Sequence, residues 1–290
     1  MQNELYTSGE SMLYKRHTAN VMGGIQYIDE GKGHPILFLH GALSNSNTWR
    51  NVIPVLSKKY RCIAIDLPLG GHYLPVSDRV DVTPVGIAKI IHACIESLSL
   101  EKVTIVSNDT GGAYAQVFAS LFPDSIDKLI FSNCEVLDVF PPLKFKYLVW
   151  AVRIPGFTFL LSRIFSFKKM LKSNLVMGLL SSKITTEELY GLYLVNFIHN
   201  KSVRRNFADA ARHWSPVYTR AAAEKLKDLK TPVLILWGDA DVKLFPVSLG
   251  ETLKGIFQDA TLIKIAGART YIQEDQPEQT SAEILKFMVK

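Results

Sequence analysis

Ile105-Val106-Ser107-Asn108-Asp109-Thr110-Gly111-Gly112-Ala113 is the stretch whose reading decides the fold. Before it, Val103 to Val106 is a β-branched run that predicts a buried strand, and after it Tyr114 to Leu121 carries the apolar spacing of a helix packed on a sheet. A strand that turns this abruptly into a helix brings the residues two before and two after its apex together, so both must be small. Here they are Ser107 and Gly111, and the apex is Asp109. A nucleophile elbow has this geometry, with one side chain lifted above the C-terminal edge of the sheet on a strained turn. Its usual apex is Ser; here it is Asp. The plainer reading makes Asp109 only the N-cap of the next helix, a position Asp favours. That reading leaves the small residues on both sides unexplained.

Working outward, Gly24 to Asp29 alternates as a strand, and Gly31-Lys32-Gly33 predicts a hairpin turn into Pro35 to His40. Ile36-Leu37-Phe38-Leu39 is apolar on both faces, as a central strand of a covered sheet must be. A Ser/Asn-rich loop leads to a helix expected over Thr48 to Lys58, then a strand over Arg61 to Asp66 and a helix over Thr83 to Leu98, with Pro84 in its first turn. Lys128 to Cys134 reads as the strand after the elbow helix. From about Leu137 to Ser215 the pattern is helical, with no convincing strand. Alternation resumes with strands over Pro232 to Trp237 and Thr261 to Ile265, and helices over Val247 to Phe257 and Pro277 to Lys290. The expectation is an α/β fold with a mostly parallel central sheet flanked by helices. Residues 1–136 and 216–290 would form its core, and 137–215 an inserted helical cap. Ligands of such sheets bind beyond the C-terminal ends of the strands, where Asp109 sits and the cap would fold over it.

Composition narrows the setting. Three scattered cysteines, Cys62, Cys94 and Cys134, suit neither a disulfide framework nor a metal site, so a reducing compartment is expected, without metal or cofactor. Met1 to Glu10 is polar and lacks the apolar core of a secretory signal, and the longest apolar run, Tyr147 to Leu161, is broken by Arg153, Pro155 and Gly156. The expected location is cytoplasmic. The net charge of +6 is concentrated: Val139 to Thr186 holds eight Lys or Arg and no acid. These cations are interleaved with Phe, Leu and Val, which argues against nucleic acid as a partner. A lid over an apolar, anionic small molecule fits this pattern, and so does transient contact with an anionic membrane surface.

With the elbow, the His40-Gly41 loop and the cap in view, the chain resembles the α/β-hydrolase fold superfamily. Within it the chain is similar to the branch that uses an Asp nucleophile, the haloalkane dehalogenases and epoxide hydrolases. The matched stretches are His40-Gly41 through Trp49-Arg50-Asn51-Val52-Ile53-Pro54, the elbow, Leu236-Trp237-Gly238-Asp239-Ala240-Asp241, and Gln273-Glu274-Asp275-Gln276-Pro277. The resemblance implies that the Asp109 carboxylate attacks an electrophilic carbon to form an ester. It implies an oxyanion hole from the backbone N–H groups of Ala42 and Thr110, and a histidine, oriented by Asp241, that activates water. Glu135 occupies an alternative acid position.

The departures carry more information. Dehalogenases place a Trp after the nucleophile and often an Asn after the His-Gly pair; here these are Thr110 and Ala42. Epoxide hydrolases usually carry His-Gly-x-Pro, and Leu43 replaces that Pro; they also use cap tyrosines, for which Tyr147, Tyr190 and Tyr193 are available. The position of the histidine holds Thr270, preceded by Arg269, and no histidine follows His213. Threonine cannot accept a proton at neutral pH. His40 is expected near the site; for His72, His199 and His213 packing or surface roles are the better reading. Arg269 would either lend a positive charge to Asp109 or Asp241, clamp a substrate carboxylate, or simply lie on the surface. Cap aromatics including Trp150 suggest a hydrophobic ligand.

Three functions follow. The first is hydrolysis of an apolar ester, lactone or epoxide by Asp109, with Glu135 as an unconventional water-activating base. The second is lyase, isomerase or cyclase chemistry in which Asp109 is a general acid or base and no water need be activated. The third is a binding protein that kept the pocket and lost turnover.

Overall fold

Eight strands form one sheet: β1 (Arg16–Ala19), β2 (Ile25–Glu30), β3 (Pro35–Leu39), β4 (Arg61–Ile65), β5 (Val103–Asn108), β6 (Ile126–Ser132), β7 (Val233–Gly238) and β8 (Ala260–Ile265). Their spatial order is β1-β2-β4-β3-β5-β6-β7-β8. The computed structural model from which they are taken describes residues 14–174 and 176–289. The expectation for Met1 to Glu10 lies outside them. β1 and β2 are antiparallel, as are β2 and β4, and from β4 through β8 every pairing is parallel.

The apolar strands divide their side chains between two cores, as a sheet covered on both faces requires. Ile36 and Phe38 point into one, with Ala64, Val106 and Ile130, beneath Ile53, Ile284 and Phe287. Leu37 and Leu39 point into the other, with Ile63, Ile105 and Phe131, beneath the helices Pro84–Ser97 and Thr110–Leu121.

Two local expectations are corrected, and one strand is unexpected. Gly31 and Gly33 turn the chain, but not into a hairpin: β2 pairs with β4, and β3 lies beyond it. A side chain on Gly31 would meet the carbonyl oxygens of Ser57 and Tyr60 at 2.4 and 2.3 Å, so this turn is shaped by its packing on the Ser57–Tyr60 segment. The helix expected over Thr48 to Lys58 is two short pieces, Ser46–Trp49 and Ile53–Leu56, the second beginning where Pro54 lacks a backbone donor. Edge strand β1 has no strong sequence signal, because it is polar and only four residues long.

Between β6 and β7 the described residues add no strand to the sheet. The segment contains helices Phe157–Ser166 and Lys201–Ala211 and a π-helical turn, Leu189–Leu194. By Pro216–Leu226 the chain has returned to the sheet, where that helix packs on Thr110–Leu121. The chain leaves β3 toward β4 on one side and then crosses to β5 on the other, so the strand order reverses between β3 and β5. The crevice above their C-terminal ends is where this architecture places a ligand.

Candidate active site

Asp109 stands at that crevice with φ 52° and ψ −139°, a strained conformation for a residue with a side chain. Its carboxylate does not cap the following helix. Instead Oδ2 accepts the N–H of Ala42, at the end of β3, at 3.1 Å, and the carboxylate also takes the N–H of Thr110. Main-chain contacts fix the turn: the N–H of Asp109 donates to Asn133 O at 2.9 Å, and that of Gly112 to Asp109 O at 2.7 Å. The glycines are demanded by neighbours. A Cβ on Gly111 would lie 2.6 Å from His40 O, and one on Gly112 would lie 2.3 Å from Cys134 Cβ. On Gly41 it would lie 2.0 Å from Asp109 Oδ2 and 2.5 Å from Asp109 Cβ.

Two further carboxyl groups are buried nearby. Glu135 Oε1 accepts the Thr110 hydroxyl at 3.1 Å, while its Oε2 is buried without a partner. Burial pushes the Asp109 carboxyl up to about 7, against the pull of its two amide donors, and the charge of Asp241 adds to the rise. Burial, followed by the charge of Asp109, raises Glu135 well above the carboxylate range. Glu135, expected as a base, is thus shifted toward its protonated form. Asp241 is fully engaged: Oδ1 accepts the N–H groups of Leu244 and Phe245 at 3.1 and 3.2 Å, and Oδ2 accepts Asn133 Nδ2 at 3.4 Å. Burial still raises it.

The fourth donor to Asp241 is Thr270, whose hydroxyl reaches Oδ2 at 2.5 Å. Thr270 thus keeps the hydrogen bond that a histidine there would make and offers no basic nitrogen. Its loop is held by Asn108, which donates from Nδ2 to Thr270 O at 2.7 Å and accepts Gln273 Nε2 at 3.0 Å. None of the seven histidines bonds to Asp109 or Asp241. His40 lies in the crevice, but its Nδ1–H donates to Gly41 O and its Nε2 accepts the Leu67 N–H, both at 2.8 Å, so the ring is structural and unavailable to substrate. Burial lowers the His40 imidazole and pulls that of His72 down to about 4, keeping both neutral.

Other expected residues lie elsewhere. Arg269 donates to Gly178 O at 2.7 Å and makes no ion pair with Asp241, because its guanidinium turns toward the inserted segment. Trp150 is 72% exposed beneath the Arg153 guanidinium, on the outer surface and away from Asp109. Leu43, at φ 53°, is half-buried and donates its N–H to Leu69 O, shaping the loop that presents Ala42. Among the tyrosines expected in a cap, Tyr147 is exposed, Tyr190 stacks under Lys168, and Tyr193 bonds Glu274. Burial also raises Cys134 well above the thiol range, consistent with a core residue.

Sequence reasoning missed several residues. Asn133 bonds Gly238 through both N–H and C=O and reaches Asp241, joining β6 to β7 above the sheet. Tyr271 is fully buried, close enough to feel the charge of Asp109, and its hydroxyl lacks a well-formed partner. Glu274 accepts Arg50, Tyr193 and Asn51, and Arg50 also donates to Glu188 at 2.8 Å. Asp275 Oδ1 accepts Ser181 Oγ at 2.6 Å and the N–H groups of Ser182 and Lys183. Within the matched Gln-Glu-Asp run, Glu274 and Asp275 are thus latches to the segment between β6 and β7, while Gln273 bonds Thr48 and Asn108. No group of three or more His, Cys, Asp or Glu among the described residues could hold a metal ion.

A family model described as alpha/beta hydrolase fold matches residues 34–277. The chain belongs to the α/β-hydrolase fold family. This α/β-hydrolase is 27% identical over 281 residues to Epoxide hydrolase 1 of Caenorhabditis elegans, covering 92% of this chain and 68% of that one. It is 26% identical over 275 residues to Haloalkane dehalogenase 2 of Mycobacterium bovis, covering 91% of each. It is also 26% identical over 288 residues to a cis-3-alkyl-4-alkyloxetan-2-one decarboxylase of Shewanella oneidensis, covering 96% of this chain and 89% of that one. These three relatives are enzymes, and hydrolases are among them. No helix among the described residues is long and apolar enough to cross a membrane.

Proposed function

We propose that this α/β-hydrolase is an enzyme in which Asp109, at the apex of a nucleophile elbow, attacks an apolar ester, lactone or epoxide. The cap would be the segment 137–215. One observation carries the reading: the Asp109 carboxylate rests on backbone donors from two segments, Ala42 N–H to Oδ2 and the Thr110 N–H, the pair that would form an oxyanion hole. A carboxylate steadied by main-chain donors alone is placed to add to carbon. Attack at a saturated carbon, an epoxide carbon or the alkoxy carbon of an ester or lactone, forms a C–O bond to one Asp109 oxygen, making an ester, and breaks that carbon's own C–O bond. Attack at an acyl carbon would instead make a mixed anhydride and free the alkoxy oxygen. The oxygen released then takes a proton, and protonated Glu135 and the Tyr271 hydroxyl are the buried donors in the neighbourhood. The ester that results would be released slowly, because Thr270 cannot activate water.

A second reading is favoured by Asp109 lying near 7 and by a relative described as a decarboxylase of an oxetan-2-one, a four-membered lactone. Such a ring loses carbon dioxide without added water, so missing the histidine costs this chemistry little. Here Asp109 would be a general acid or base in lyase, isomerase or cyclase chemistry.

Intact-mass measurement after incubation with panels of esters, lactones, epoxides and alkyl halides separates these readings. An adduct on Asp109, absent in Asp109→Asn, is the expected result. Turnover without adduct that Asp109→Asn abolishes selects acid–base chemistry. Thermal stabilisation by a compound that stays unchanged, with no adduct or product from any class, would reduce the chain to a binding protein and end both catalytic readings.

A further inference from the structure

Large apolar side chains are exposed unevenly over this molecule. Among the described residues, eight of the fifteen that are more than a third exposed fall between Leu143 and Met170, Trp150 at 72% and Phe167 at 64% among them. The helix Phe157–Ser166 explains part of this. It buries Ser162 and Phe165 against the neighbouring Val195–His199 helix and turns Phe159, Leu160 and Arg163 outward. A surface helix of a soluble protein normally presents polar residues to water, so an outward Phe-Leu pair asks for an apolar neighbour.

The charges on the same segment say which neighbour. Lys146, Arg153, Arg163, Lys168, Lys169 and Lys172 are exposed, and none is in an ion pair among the described residues. No Asp or Glu lies between Val139 and Thr186 to neutralise them. A second copy of the chain docking face to face would set these cations against one another. A nucleic acid would leave the outward Phe and Leu without an apolar partner. Aromatic and aliphatic groups set among unpaired lysines match a phospholipid interface, where rings enter the acyl boundary and ammonium groups meet anionic headgroups.

We infer that the segment Leu143–Lys172 is a docking surface for an anionic lipid bilayer, on which this enzyme sits as a peripheral protein. The inference stands on surface chemistry alone and holds whichever reaction Asp109 performs. It also supplies a source of apolar substrate.

The test uses the full chain and vesicles of phosphatidylcholine alone or doped with phosphatidylserine. Co-sedimentation is expected only with the doped vesicles and should weaken at least about tenfold as salt rises, since surface charges are screened over about 8 Å at physiological ionic strength. Trp150 is exposed while Trp49, Trp214 and Trp237 are buried, so a blue shift of tryptophan emission on vesicle addition should vanish in Trp150→Ala. The pairs Phe159→Ser with Leu160→Ser, and Lys168→Glu with Lys169→Glu, should each cut vesicle binding about tenfold or more. Circular dichroism and melting temperature identify any variant that has lost its fold; Trp150→Ala and the lysine pair, on exposed side chains, then decide the matter. Equal binding to neutral vesicles, no binding to either, or unchanged binding in folded variants would overturn the proposal. So would a concentration-dependent dimer, seen by sedimentation velocity without lipid, that the Phe159/Leu160 pair dissolves.

Discussion

The turn after β5 and the loop after β8 meet over the same edge of the sheet, yet they have been treated differently. The first is built from main chain: a positive-φ residue, two amide donors and glycines whose missing side chains make room for them. The second is built from side chains, and there a hydroxyl, Thr270, stands where the resemblance calls for an imidazole. Around it the support remains, with Asp241, Asn133, Asn108 and Gln273 all bonded. Backbone donors survive any exchange of the side chains on Ala42 and Thr110 that leaves the main chain in place, although the glycines around them cannot change. A general base is one residue deep and can be lost in one step.

The largest expected effect tests the first half. Asp109→Asn should lower turnover or adduct formation by about 10⁴-fold or more, as loss of a nucleophile does. It should also alter stability in a directed way. The Asp109 carboxyl sits near 7 when folded, against a reference of 3.8. The folded state therefore holds the proton more tightly than the unfolded one, and stability falls as pH rises from about 4 through about 7. The Asn variant lacks that decline and should exceed the parent by at least about 1 kcal/mol above pH 7, where each pKa unit is worth ~1.4 kcal/mol. Urea titrations of both proteins across this range are the check; parallel curves would mean that Asp109 is already ionised at low pH. In the parent, reaction through the carboxylate should speed up with pH through about 7.

Gly41→Ala, which thrusts a methyl group at the Asp109 carboxylate, should cost about 10²–10³-fold in the same assays, comparable to losing an oxyanion-hole donor. Thr270→His probes the other half. If the water path above Asp241 is intact, release of the Asp109 ester should quicken by about 10²-fold, the order contributed by a positioned base. Unchanged release would mean that the loop was rebuilt beyond one residue. The latches should matter to stability more than to chemistry: Arg50→Met strands Glu274 in the interior and should cost about 3–5 kcal/mol by urea unfolding. Thr270→Val, which keeps the shape and removes one donor from Asp241, should cost about 1 kcal/mol.

What sequence could reveal divides along the same line. The elbow is legible because strand, apex and helix are contiguous, so Ser107, Asp109 and Gly111 declare their geometry within five residues. The sheet is legible because apolar runs such as Val103–Val106 repeat at regular intervals. Contacts between distant segments are not. His40 looked like a site residue because it ends β3; that its ring is tied up by Leu67 and Gly41 depends on where another loop passes. Trp150 looked like a pocket aromatic, since composition cannot tell an inward ring from an outward one. Arg269 was a candidate neighbour of Asp109 or Asp241 because it precedes the position expected to hold the histidine, while its acceptor, Gly178, is 91 residues away. Tyr271 carried no signal at all, because a tyrosine next to a missing histidine has no motif of its own.

The corner at Gly41 has a historical consequence. A methyl group there would collide with the β-carbon at position 109 as well as with its carboxylate, so the clash persists for Ser, Ala or any other side chain at the apex. Only glycine at 109 would relieve it. The two sites, 68 positions apart, are yoked: the apex can exchange one side chain for another, but residue 41 cannot gain one until the side chain it faces is erased.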